Sequence, residues 1–149
     1  MKNTRQTVGR VIIILLALTG VALYLLLGSV SVSVRKDSVT VRGTLSKEIT
    51  LSYNDIKSCE LRNQVDTGTC SFGLGTRKIS IGQYSSPTYG PYHLLIYKNV
   101  EKFILLETED TAVIFNCISG DETVECFEEI SEAIQNWSVQ TPSEGGEAS

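Results

Sequence analysis

The sequence predicts a mainly β domain: a barrel of about seven short antiparallel strands, capped by a C-terminal α-helix and preceded by one transmembrane helix. Three observations predict it. An uncharged apolar run lies near the start of the chain. A period of two then governs most of the chain that follows. One late segment repeats its apolar residues at three and four. The chain has 149 residues, enough for one domain with one core.

The apolar run VIIILLALTGVALYLLL spans Val11 to Leu27, and the uncharged GSVSVSV follows. The window to Val30 is about 20 residues, long enough to cross a hydrocarbon core of about 30 Å as a helix. Thr19 and Gly20 fit within it, because such a helix satisfies its own backbone. Tyr24 lies toward an interface. The expected division is a basic tail over 1–10 and a transmembrane helix over 11–30. A cleaved signal peptide is the alternative, with Lys2, Arg5 and Arg10 as its basic region. Against it, the run exceeds the usual apolar length of about 7–15 residues and no A-x-A site follows. A retained signal anchor places the protein in the cell membrane as a single-pass chain. Arg35, Lys36 and Arg42 nearly balance the three cations before the span. The tighter packing of the first three favours an inside N-terminus and an extracytoplasmic domain.

The period of two begins with SVSVSV. In DSVTVRG, Val39 and Val41 oppose Thr40 and Arg42, and Gly43 closes the run. KEITLSY sets Ile49 and Leu51 against Glu48, Thr50 and Ser52, and Asn54–Asp55 supplies turn chemistry. IKSCELR points Cys59 and Leu61 inward, with Lys57 at the rim. KISIGQY pairs Ile79 with Ile81, while HLLIYK is apolar enough to be covered on both sides. FILLETE and TAVIFNC are joined tightly at Glu109–Asp110. Antiparallel pairing in up-and-down order is expected, since no crossover is long enough for a parallel return.

The helix starts at Ser119, with Glu122 three residues on as a capping box. Val124, Phe127, Ile130, Ile134 and Trp137 share one face, and Glu125, Glu128, Glu129 and Glu132 occupy the rest. That face needs an apolar opening, which the end of a short barrel provides. The domain is expected over 31–137, with a disordered Gly-, Ser- and Glu-rich tail over 138–149.

VTVRGTLSKEITLSYNDIKSCEL resembles the opening of bacterial PH-like domains, the pleckstrin-homology architecture. TCSFGLGTRKISIGQY resembles their middle segment, and YGPYHLLIYKNVEKFILLETEDTAVIFN their fifth strand and following hairpin. DETVECFEEISEAI is similar to their closing helix. The resemblance runs from about Val34 to Trp137. It implies a domain of a kind often attached to a transmembrane helix, most of whose members have no assigned activity.

The formal net charge is −4, and without Lys2, Arg5 and Arg10 the rest carries 10 basic against 17 acidic residues, near −7. That balance argues against nucleic-acid binding. No Ser or Cys forms a discernible relay with His93, which is expected to make a structural hydrogen bond. No catalytic residue, metal site or cofactor is expected. The glycines of SFGLGTRK lead into a strand rather than a helix, so they do not form a phosphate cradle. They are expected to turn a barrel corner, with Phe72 and Leu74 tucked beneath.

The expected activity is binding of a protein or peptide partner, by strand addition at an open edge or in the groove beside the helix. The expected surface is Phe72, Arg77, Lys78, Tyr84, Tyr89 and Tyr92, the tyrosines carried on a turn-rich loop stiffened by Pro87 and Pro91. The alternative is an anionic-lipid or small-anion site built from Lys47, Arg62, Arg77 and Lys78. Only Lys47, beside Glu48, stands in the first hairpin, where inositol-phosphate-binding PH domains cluster cations. Four cysteines lack metal-ligand spacing. Cys117 with Cys126, and Cys59 with Cys70, are candidate disulfides, and four buried free thiols are the alternative.

Overall fold

The structure, a computed structural model, describes residues 2–140 of the chain. Helix α1 spans Lys2–Leu26. Its window Thr7–Tyr24 is long and apolar enough to cross a membrane, and none of it is buried against the rest of the chain. The helix takes in the stretch expected as a separate basic tail. It also ends before residue 30, because Val30 already opens the first strand.

Nine strands follow: β1 Val30–Val34, β2 Ser38–Gly43, β3 Ile49–Ser52, β4 Ser58–Arg62, β5 Thr69–Gly75, β6 Ile79–Ser86, β7 Gly90–Tyr97, β8 Phe103–Glu107 and β9 Ala112–Phe115. Helix α2, Gly120–Gln140, ends the described chain. It includes Ser138 to Gln140, which the sequence assigns to a disordered tail; residues 141–149 of that tail lie outside the described residues.

The strands form two sheets, in the orders β1-β2-β3 and β4-β8-β9-β7-β6-β5. They do not close into the expected barrel. Each sheet keeps two free edges, and the two stack face to face. The expectation of purely antiparallel pairing also fails at one place. Strand β7 pairs with β9 in parallel, His93 opposite Val113 and Leu95 opposite Phe115. No helical crossover is needed, because β8 serves as the return: it runs two positions away from β7, and β9 turns back into the place between them.

The alternating residues set the core. Val39, Val41, Ile79, Ile81, Leu95, Ile104 and Phe115 fill the space between the sheets. The opposite face of the larger sheet buries Tyr92, Leu94, Ile96, Leu105 and Ile114. Thus HLLIYK is covered on both sides, as its continuous apolar run requires. The segment from Asn63 to Gly68 lies over that second face. Val65 packs there, and the Tyr92 hydroxyl donates to the Thr67 carbonyl at 2.7 Å.

Helix α2 seals one seam. It touches the edge strands β1 and β4 and also β8. Ile130 is fully buried beneath it, with Phe127, Ile134 and Trp137 packed against the core. The Ser119 hydroxyl caps it by accepting the Glu122 amide at 3.2 Å. The backward reach is made by buried Thr123, whose hydroxyl accepts the Cys117 amide at 3.0 Å. At the far end the Trp137 indole donates to the Asn54 side chain at 2.8 Å.

Candidate functional site

The opposite seam has no covering element among the described residues. It lies between the β2–β3 turn and β5, and it contains an apolar slot of about 480 Å³. That volume falls within the usual range of about 300–1,000 Å³ for a small binding cleft. Leu45, Ile49, Phe72, Leu74 and Ile81 form its walls, and Gln83 and His93 form a polar patch in it.

The wall on the turn side follows from local geometry. The chain must reverse between Gly43 and Ile49, and the Ser46 amide donates to the Gly43 carbonyl at 3.0 Å. Leu45 takes a positive φ of 59° and is 73 % exposed. A leucine in that conformation, turned out of a polar turn, is unusual and costs backbone energy.

The wall on the β5 side is SFGLG, expected as a corner and found as an edge strand. It pairs with β6 alone, with a bulge between Cys70 and Phe72. Its residues are exposed except Leu74, which is half-buried against the core. Phe72 does not tuck beneath a loop; it is 79 % exposed at the rim of the slot. Gly73 faces Gly82 across the strands. A Cβ on either would run into the backbone of the other strand, so the glycines serve close approach here.

Gln83 and His93 are cross-strand partners on β6 and β7. Burial holds the His93 imidazole below its ordinary pKa of 6.5 and so favours the neutral ring. The slot therefore offers apolar walls, a neutral polar patch, the Lys47 side chain at the turn and, alongside, the free backbone edge of β5. Those are means of recognition. No cluster of three or more His, Cys, Asp or Glu side chains able to hold a metal occurs among the described residues.

Residues 30–134 match the family described as bacterial PH domain. The chain belongs to the bacterial PH domain family. No curated protein and no solved structure matches it. PH domains are generally non-enzymatic interaction modules, and no catalytic family is indicated.

This bacterial PH domain distributes the expected binding residues over several places. Phe72 lines the slot. Arg77 and Lys78 are exposed in the turn after β5, and Lys78 accepts the Lys98 amide through its carbonyl at 2.8 Å. Tyr92 is buried, 2 % exposed, and holds the Asn63–Gly68 segment, so it is not a contact surface. Burial, with the nearby charge of Asp66, pushes its phenol far above the usual range. Tyr84 and Tyr89 are half-buried and pack their rings on Tyr92. The stretch read as a turn-rich loop is mostly strand, because β6 runs to Ser86 and β7 begins at Gly90.

The four-residue anion site does not assemble. Arg62 ends β4 and Arg77 follows β5, and these are the two outer strands of the larger sheet. Arg62 also bonds the Glu60 carboxylate. Lys47 lies on the β2–β3 turn, where it lines the slot.

The cysteines are free thiols. Cys59 and Cys70 sit on the opposite outer strands of one sheet with four strands between, so the fold does not bring that expected pair together. Cys117 and Cys126 do meet. Each thiol perturbs the other, lowering the pKa of Cys117 and raising that of Cys126.

Sequence reasoning missed Leu45, Ile49, Gln83 and the Gly73–Gly82 pair as parts of one site. Leu45 carried a signal: it is the lone apolar residue in the polar run Gly43–Lys47.

Proposed function

We propose that this PH domain is a membrane-anchored interaction module that binds an extended peptide segment of a protein partner in the slot beside β5. The observation that carries the reading is the coincidence of a free strand edge with an adjoining apolar slot on the one seam that α2 leaves uncovered. An extended peptide can add backbone hydrogen bonds to such an edge and seat alternate side chains in the slot. Exposed Phe72 and Leu45 are the apolar rim it would cover. Helix α1 is the single-pass anchor, and the three cations at its start hold the N-terminus inside and the domain extracytoplasmic.

The test places a photoreactive benzophenone residue at Phe72 of the full chain in native membranes, with Glu109 on the β8–β9 turn as the control position. Irradiation is expected to yield a protein adduct from position 72 and none from 109. Equal yields at the two positions, or none at either, would remove the slot as the recognition site.

A further inference from the structure

We infer that the segment seated in the slot is a juxtamembrane one: an extended stretch of another membrane protein within a few residues of where that protein leaves the bilayer. The inference rests on the peptide reading and on α1 as an anchor, and it adds where the partner segment must be.

The slot is fastened to the exit of α1. The helix closes with the Leu27 amide donating to the Leu23 carbonyl at 2.9 Å. Two residues later, the Ser29 amide donates to the Thr44 hydroxyl at 2.7 Å, and the Thr44 amide returns to the Ser29 carbonyl at 3.0 Å. The next amide, Val30, donates to the Tyr97 hydroxyl at 3.0 Å. No flexible linker separates anchor from domain.

Thr44 is also the first residue of the slot wall, followed by Leu45, Ser46 and Lys47. Tyr24, in the last turn of the apolar window, shares a recess of about 350 Å³ with Ser29, Thr44, Leu45 and Ser46. At 1.5 Å per residue, Tyr24 lies roughly 5 Å along the axis from Leu27. A helix that crosses the bilayer therefore sets the slot at the headgroup layer, with exposed Leu45 bordering the same recess as Tyr24.

That position selects the occupant. A segment leaving the bilayer is already at this depth and confined to the same plane, which raises its local concentration over that of a dissolved protein. A lipid hydrocarbon chain is also at hand, but it gains little by leaving a medium as apolar as the slot walls. It also offers nothing to Gln83 and His93, whereas a peptide backbone or a Ser, Thr or Asn side chain can bond both.

Two readouts on the full chain test the inference. First, a small fluorescent amino acid replaces Leu45 in protein reconstituted in vesicles whose lipids are brominated near the headgroup. The expected result is at least a twofold loss of emission relative to unbrominated vesicles; unchanged emission places the slot away from the bilayer and overturns the inference. Second, adducts of the benzophenone at Phe72 are mapped to the crosslinked peptide. It should fall beside a membrane-spanning segment of another protein. A crosslinked peptide from a soluble protein, or from a region distant from any span, overturns the juxtamembrane assignment while leaving peptide binding intact. Lipid adducts alone, or none, end the peptide reading itself.

Discussion

The Tyr97 hydroxyl accepts the amide of Val30 at 3.0 Å, across 67 positions of sequence. It joins the last residue of β7, in the larger sheet, to the first residue of β1, four positions after the end of α1. Tyr97 is itself held from behind: its amide donates to the buried Asn116 side chain at 2.7 Å, and that side chain donates back to the Tyr97 carbonyl at 3.1 Å. One buried Asn thus fixes the end of β7 beside β9, and one phenol carries that fixity to the start of β1, just after α1.

Tyr97→Phe should remove the bond to Val30 and little else. The expected loss of stability is about 1 kcal/mol, the usual worth of one hydrogen bond. Hydrogen exchange of the Val30 amide should quicken more than that of core amides such as Leu95. Equal protection of Val30 in both proteins would show that the phenol does not hold the junction.

Ile130 is the keystone of the helix-sealed seam, fully buried between α2 and the sheets. Ile130→Ala should cost about 2–5 kcal/mol in urea unfolding, through lost burial and the cavity left behind. Glu128→Ala, at an exposed position of the same helix, should change stability by less than about 0.5 kcal/mol. A small loss at Ile130 would mean that α2 does not cover the core.

His93 makes stability depend on pH. Its pKa in the fold lies below the ordinary 6.5, because burial disfavours the charged ring. The unfolded chain therefore binds this proton more readily than the folded one, and stability declines as pH falls from 6.5 toward the folded value. His93→Gln should lessen that decline. Urea midpoints for both proteins at pH 7 and at about pH 5.5 test the sign; equal declines would exclude His93 as the source.

The thiols should react in an order that exposure and hydrogen bonding set. Exposed Cys70 is expected to be alkylated first. Cys117 should precede Cys59, since the Cys126 thiol lowers its pKa while burial raises that of Cys59. Cys126→Ala should slow Cys117, read by mass spectrometry of the labelled peptides; an unchanged rate would deny the interaction. Cys70 also reports orientation. A membrane-impermeant maleimide should label it on intact cells, and labelling only after lysis would reverse the assignment.

Much of the fold was legible along the chain. Alternation marked β2, β3, β4 and β6, and the double-sided run marked β7. The spacing of Phe127, Ile130 and Ile134 marked the covering face of α2. Strand β5 escaped because SFGLG alternates large residues with glycine rather than with polar side chains. Tyr92 looked like surface because its neighbours Gly90 and Pro91 suggest a turn. The segment that covers it comes from some 25 residues earlier.

The sequence by itself determined the local things: which segments are strand or helix, which face of each is apolar, and that one N-terminal helix is long enough for a bilayer. These follow from period and composition, which are readable within a short window. Tertiary structure alone decided which strands became neighbours, that β9 slipped in parallel beside β7, and that α2 sealed one seam and left the other open. The slot exists because the β2–β3 turn and β5, distant in sequence, border the same space, and no periodicity within either segment encodes that space.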